Sequence, residues 1–170
     1  MTFLNFLSTF KFMKRFLLGV FFISACTYSF SGFFPKHLRK VYIPVFSNTT
    51  IRYGLEEVVT KAFIDAITED GRLEVTSKEN ANLHIIGEIV EYKREPFEYD
   101  PSGKIITYKV TIGAKIRFYD KTKEEDYLAE KKYKGWGLYN NDTEVEENGI
   151  ERAVHDLTDN ALRFLFLKEF

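Results

Sequence analysis

The stretch that decides the fold is ITYKVTIGAKIRFY, from Ile106 to Tyr119. Ile106, Tyr108, Val110, Ile112, Ala114, Ile116 and Phe118 are all apolar. Between them sit Thr107, Lys109, Thr111, Gly113, Lys115, Arg117 and Tyr119. Alternation over this length is a half-buried β-strand, with one face on a core and the other toward water or a partner. Asp120 to Asp126 is a charged turn, and Tyr127 to Tyr139 returns as a further strand whose facing is ambiguous. Upstream, Asp100-Pro101-Ser102-Gly103 is a turn with proline preset at its second position. It ends the link KREPFEYDPSGK, and before that Asn82 to Tyr92 reads as a strand apolar on both faces, hence interior.

The flanking segments have helical periodicity. Leu55, Val58, Val59, Ala62, Phe63, Ala66 and Ile67 form one stripe of a helix from about Leu55 to Asp70, closed by Gly71. Asn48-Thr49-Thr50 is a turn and helix-start signal before it. Ile150, Ala153, Val154, Leu157, Ala161, Phe164 and Leu165 form the stripe of a second helix, about Glu147 to Leu167. Glu144, Glu146 and Glu147 near its start suit the positive end of the helix dipole. Lys40 to Phe46 is a strand that lies at an edge or ends at Pro44, which donates no backbone hydrogen bond. Leu73 to Thr76 is a shorter strand candidate. Two one-sided helices need a sheet face to cover. The expected fold class is therefore α+β, with both helices on one face of a mostly antiparallel sheet.

A formal net charge of −1 gives no drive toward nucleic acid. His37, His84 and His155 show no metal-ligand spacing, and no nucleophile motif or phosphate-cradling glycine loop occurs. Neither an enzyme nor a cofactor is expected. The single cysteine, Cys26, supports neither an internal disulfide nor a cysteine-based metal site.

That cysteine follows a leader, KRFLLGVFFISA. A spanning helix needs about 20 apolar residues to cross roughly 30 Å of hydrocarbon. The run from Phe16 to Ala25 covers about 15 Å at about 1.5 Å per residue. A basic patch, a short apolar run and small residues together make a secretory signal peptide, residues 1–25, starting at Met1 or at Met13. Its removal takes three bases and no acid, so 24 basic residues become 21 against 25 acidic ones, and the formal charge falls from −1 to −4. Ile23-Ser24-Ala25-Cys26 resembles the lipobox of bacterial lipoproteins. That resemblance implies cleavage before Cys26 and a lipid on it, anchoring the chain to a membrane through a tether at residues 26–38. Thr27 is not the aspartate that marks inner-membrane retention in many such lipoproteins, which points to the outer membrane.

Lys109, Lys115 and Arg117 share the polar face of one strand, and Lys131, Lys132 and Lys134 lie on the next. Antiparallel neighbours are about 4.8 Å apart, so these cations are positioned to form one patch for the phosphates of an anionic lipid. Lys104, beside the turn, has reach to the same ligand. The alternative is an ordinary solvated sheet face that discourages edge pairing.

CTYSF, KVYIPVFSNTT with YGLEEVVTKAFIDAITEDGRLEV, and GEIVEYKREPFEYDPSGKIITYKVTIGAKIRFYD together resemble the lipopolysaccharide-assembly lipoprotein family, LptE. The resemblance runs over nearly all of residues 26–170, with residues 39–170 as one LptE-like domain. It implies a two-helix, four-stranded sandwich without enzymatic activity. It also implies a plug inside the outer-membrane β-barrel LptD that helps the barrel assemble and contacts lipopolysaccharide. The alternative is a structural lipoprotein of the same fold serving another envelope complex.

Overall fold

The computed structural model describes residues 34–167. Eight elements follow a 3-10 turn at Lys36–Leu38: β1 (Lys40–Tyr42), β2 (Ser47–Asn48), α1 (Leu55–Asp70), β3 (Glu74–Val75), β4 (Leu83–Tyr99), β5 (Ile105–Asp120), β6 (Glu125–Asn140) and α2 (Glu146–Leu167). The expected α+β layering holds, with a correction to the sheet. It has six strands rather than four, in the order β3-β1-β4-β5-β6, with β2 also on β4. It is also mixed: β1 runs parallel to β3 and β4, and β2 parallel to β4. The reason is local. The chain leaves the sheet around Pro44 and rejoins at Ser47, which splits one expected strand in two. After α1 it returns beside β1 in the same sense, as a helical crossover requires.

The decisive alternation is realised in β5, where Val110, Ile112, Ala114, Ile116 and Phe118 are all fully buried. Each large side chain among them contributes roughly 1.5–3 kcal/mol of burial. Leu55, Val59, Phe63 and Ile67 of α1 and Ile150, Val154, Leu157 and Leu165 of α2 close the same core. Gly71 ends α1 at φ 72°, donating its N–H to the Ile67 carbonyl. Phe34 and Leu38 already belong to this core, and Asn82 Nδ2 donates to the His37 carbonyl at 2.8 Å. The leader, Cys26 and the rest of the expected tether lie outside the described residues.

β6 resolves the ambiguity in its sequence through glycine. Its inward positions include Gly135 and Gly137, over which α2 passes closely. A Cβ on Gly135 would stand 2.2 Å from the Ala153 carbonyl oxygen and from the Leu157 nitrogen. This approach lets α2 seal the free edge of β6. Asp156 Oδ2 accepts from the Trp136 N–H at 3.0 Å, Asn160 Nδ2 donates to the Lys134 carbonyl at 3.1 Å, and Arg152 donates to the Leu138 carbonyl. Four residues of helix rise about 6.0 Å and two of strand about 6.6 Å. Side chains at 152, 156 and 160 therefore keep step with backbone groups at 138, 136 and 134.

Candidate functional site

The outward face of β4, β5 and β6 carries most of the expected cations. Lys109, Lys115 and Arg117 alternate with the buried residues of β5, as the sequence predicts. Lys115 stands opposite Lys132, and Gly113 opposite Lys134. Five of the seven candidate bases therefore share one face. Lys131 does not. Lys131 is paired opposite the inward-facing Ile116, so strand alternation puts it on the helix side of the sheet, with its Nζ 4.2 Å from the centre of the Phe164 ring on α2. Lys104 does not join them either: it lies at the hairpin tip, where its Nζ meets both Asp142 carboxylate oxygens at 2.8 Å.

The patch has a carboxylate in its middle. A bulge between Ile89 and Glu91 turns Glu91 outward, and the absent side chain of Gly113 leaves room for it to reach across β5. Glu91 Oε2 lies 2.6 Å from Lys132 Nζ and 2.9 Å from Lys134 Nζ. The Lys132 hydrogen bond, then the Lys134 one, holds its carboxyl below the usual range. Arg117 is 3.9 Å from Asp126. Among the described residues no carboxylate lies within 4 Å of Lys109 or Lys115.

Trp136 is the residue sequence reading missed. It is 52% exposed on this face, with Lys109 Nζ 5.2 Å from its ring centre, within cation–π range. The available signal was the only tryptophan of the chain set between two inward glycines. At the other end of the face, Tyr42, His84 and Tyr119 form an aromatic file, with His84–ring distances of 5.5 and 6.2 Å. Desolvation, then Lys121 and Lys78, pushes the His84 pKa down, so this ring is neutral. Cations flank an exposed indole at one end, and neutral rings close the other. This surface suits multipoint contact with a polyanion carrying rings or chains.

The helical face offers less chemistry. A groove of about 440 Å³ between α1 and α2 is floored by Val58, Ala62, Ala66 and Val154. Four of its ionisable groups pair locally, Lys61 with Asp65 and His155 with Asp159. Among the described residues no cluster of His, Cys, Asp and Glu could hold a metal ion. Nor is any helix among them long and apolar enough to cross a membrane.

A family model described as LptE, lipopolysaccharide-assembly, matches residues 38–165. The chain belongs to the LptE family. The LptE match starts at Leu38, the fully buried residue that precedes β1, and ends at Leu165, the last fully buried residue of α2. No curated protein matches the sequence. Several solved structures share the fold of this LptE member at low identity. The protein CT253 from Chlamydia trachomatis aligns with TM-score 0.54 and 9% identity over 74% of this chain and 94% of its own. The protein XCC0632 from Xanthomonas campestris gives 0.54 and 10%, over 75% and 84%. A PelC dodecamer from Paraburkholderia phytofirmans gives 0.50 and 14%, over 78% and 89%.

Proposed function

We propose that this chain is a lipoprotein of the outer membrane, anchored through Cys26, that seats in the LptD barrel, helps it assemble and meets lipopolysaccharide in transit. It catalyses no reaction of its own. Membership of a lipopolysaccharide-assembly family supports the process. The observation that carries the ligand side is the row Lys109, Lys115 and Arg117 on the outward face, beside Lys132, Lys134 and the exposed Trp136. Phosphates would meet this row, and the indole would lie against sugar or acyl carbon.

A cation near an anionic surface contributes about 1 kcal/mol, so removing three predicts a loss on the order of a hundredfold. Charge reversal at Lys109, Lys115 and Arg117 is expected to weaken binding to lipopolysaccharide vesicles by at least that much. Unchanged binding by the folded triple variant would reject the site. Reversal of Lys132 and Lys134 is expected to cost less, because Glu91 already holds them. Purified LptD is expected to be captured by the lipidated chain, and labelling with a radioactive fatty acid is expected to disappear in Cys26→Ala. Equal labelling of both chains would exclude the anchor.

A further inference from the structure

The loop between β2 and α1 displays apolar side chains where nothing in the fold uses them. Ile51 is 89% exposed and Tyr53 90%. Val58, one turn into α1, is 40% exposed, and Val145, just before α2, is 61% exposed. Tyr53 and Val58 line a cleft of about 240 Å³ with Leu55, Ile150, Glu147 and Glu151. Thus apolar surface from the loop and from both helices meets at one place.

The loop is held rigid. Asn48 Nδ2 donates to the Arg52 carbonyl and to Glu56 Oε2, both at 2.8 Å. Asn48 Oδ1 accepts from the Thr50 N–H at 2.9 Å. The Thr49 N–H donates to the Ile89 carbonyl on β4 at 3.0 Å. Arg52 ties the loop to α2, with one guanidinium nitrogen 2.8 Å from Glu147 Oε1. A backbone held in place before contact loses little freedom on binding, which favours an interface anchor.

Charge selects the occupant. Glu147 and Glu151 line the cleft beside the apolar side chains, and Arg52, the base in the same lining, is engaged by Glu146 and Glu147. An acidic rim repels anionic headgroups and the phosphates of lipopolysaccharide alike. It also repels its own copy across a two-fold axis, where like patches meet. Basic groups around an apolar recess on another protein complement it.

We propose that Ile51, Tyr53 and Val58, with Val145, form a protein-docking patch whose partner surface has apolar sockets rimmed by Lys or Arg. Resting on the function proposed above, that partner is the wall of LptD. The two duties then fall on surfaces of opposite charge: the outward sheet face for lipopolysaccharide, the helix-end patch for protein.

The test uses full-length lipidated chain and the LptD barrel of the same organism in detergent. Ile51→Ser with Tyr53→Ser is expected to lower barrel capture at least tenfold. Binding to lipopolysaccharide vesicles and the melting temperature are expected to stay at wild-type values, since both side chains are about nine-tenths exposed. Glu147→Lys with Glu151→Lys is expected to lower capture too, with a weaker dependence on salt. Full capture by the Ile51/Tyr53 variant overturns the patch and leaves the proposed function standing. Failure of wild type to capture the barrel removes both. Reduced vesicle binding in that variant would make the patch a lipid surface, and loss of a wild-type self-association would make it a contact between copies; either result overturns the inference.

Discussion

The two halves of the sheet are built by different means. β4, β5 and β6 are strands of 16 or 17 residues joined by tight turns. β1, β2 and β3 are pieces of two or three residues on the other side of β4. The long half holds its register by many consecutive pairs and by a helix lying against bare backbone. The short half has only a few backbone pairs and adds side chains reaching from α1: Thr60 Oγ1 accepts the buried Phe46 N–H at 3.0 Å, and Phe46 packs on Phe63 at 5.1 Å between ring centres. Long runs of backbone pairs dominate the first half, and short pairs backed by side chains from α1 the second.

Alanine at matching glycines tests that contrast most severely. In Gly135→Ala the new methyl meets the α2 backbone, which has no rotamer to change. A loss of about 3 kcal/mol is expected from the urea midpoint, at constant m. In Gly87→Ala the methyl meets only the Phe46 ring, although the distance is also 2.2 Å. A ring can turn, so a loss of about 1–2 kcal/mol is expected. Equal losses would break the comparison.

Thr60→Val is the complementary probe of the short half. It keeps the shape, leaves the buried Phe46 N–H without its acceptor, and is expected to cost about 1–2 kcal/mol by the same measurement. On the long half, Asp156→Ala opens the Trp136 N–H to water. A loss of about 0.5–1 kcal/mol is expected, with a rise in self-association by light scattering. A purely monomeric variant would show that the seal guards nothing.

The smallest effect is one of pH. The Arg152 hydrogen bond, then the Asn140 N–H, lowers the Glu144 pKa from 4.5 to about 2. A depressed carboxyl contributes stability that is present above about 4.5 and is lost as pH falls toward about 2. Glu144→Gln is therefore expected to flatten the acid limb of the stability curve within that window and to leave the curve above it parallel to wild type.

The same contrast explains what the sequence could reveal. β5 and both helices are legible because their signal is local: alternation for one, three-and-four spacing for the others. α1 runs from Leu55 to Asp70 as its stripe predicts. β6 was obscure because two of its inward positions are glycine and a register shift near Ala129 breaks its phase. β4 continues to Tyr99, through a segment that reads as a link, because it stays paired with β5 as far as Tyr99 and Ile105, while on its other side no strand pairs with it beyond Ile89 among the described residues. Pro96 is tolerated along such an open edge. β2 and β3 are too short for any periodicity. Their pairing exists only once α1 has brought the chain back. Within the site, alternation places Lys109, Lys115 and Arg117 correctly. Glu91 could not be placed, since a single bulge decides which face it takes.

The ladder from Arg152, Asp156 and Asn160 to the rim of β6 has a consequence in time. A chain that emerges amino end first presents a sixteen-residue strand before the helix that covers it. Until α2 docks, that strand can hydrogen-bond to any extended peptide nearby. The final helix thus acts toward β6 as an internal chaperone, and its docking closes the interval in which the sheet is open to the wrong neighbour.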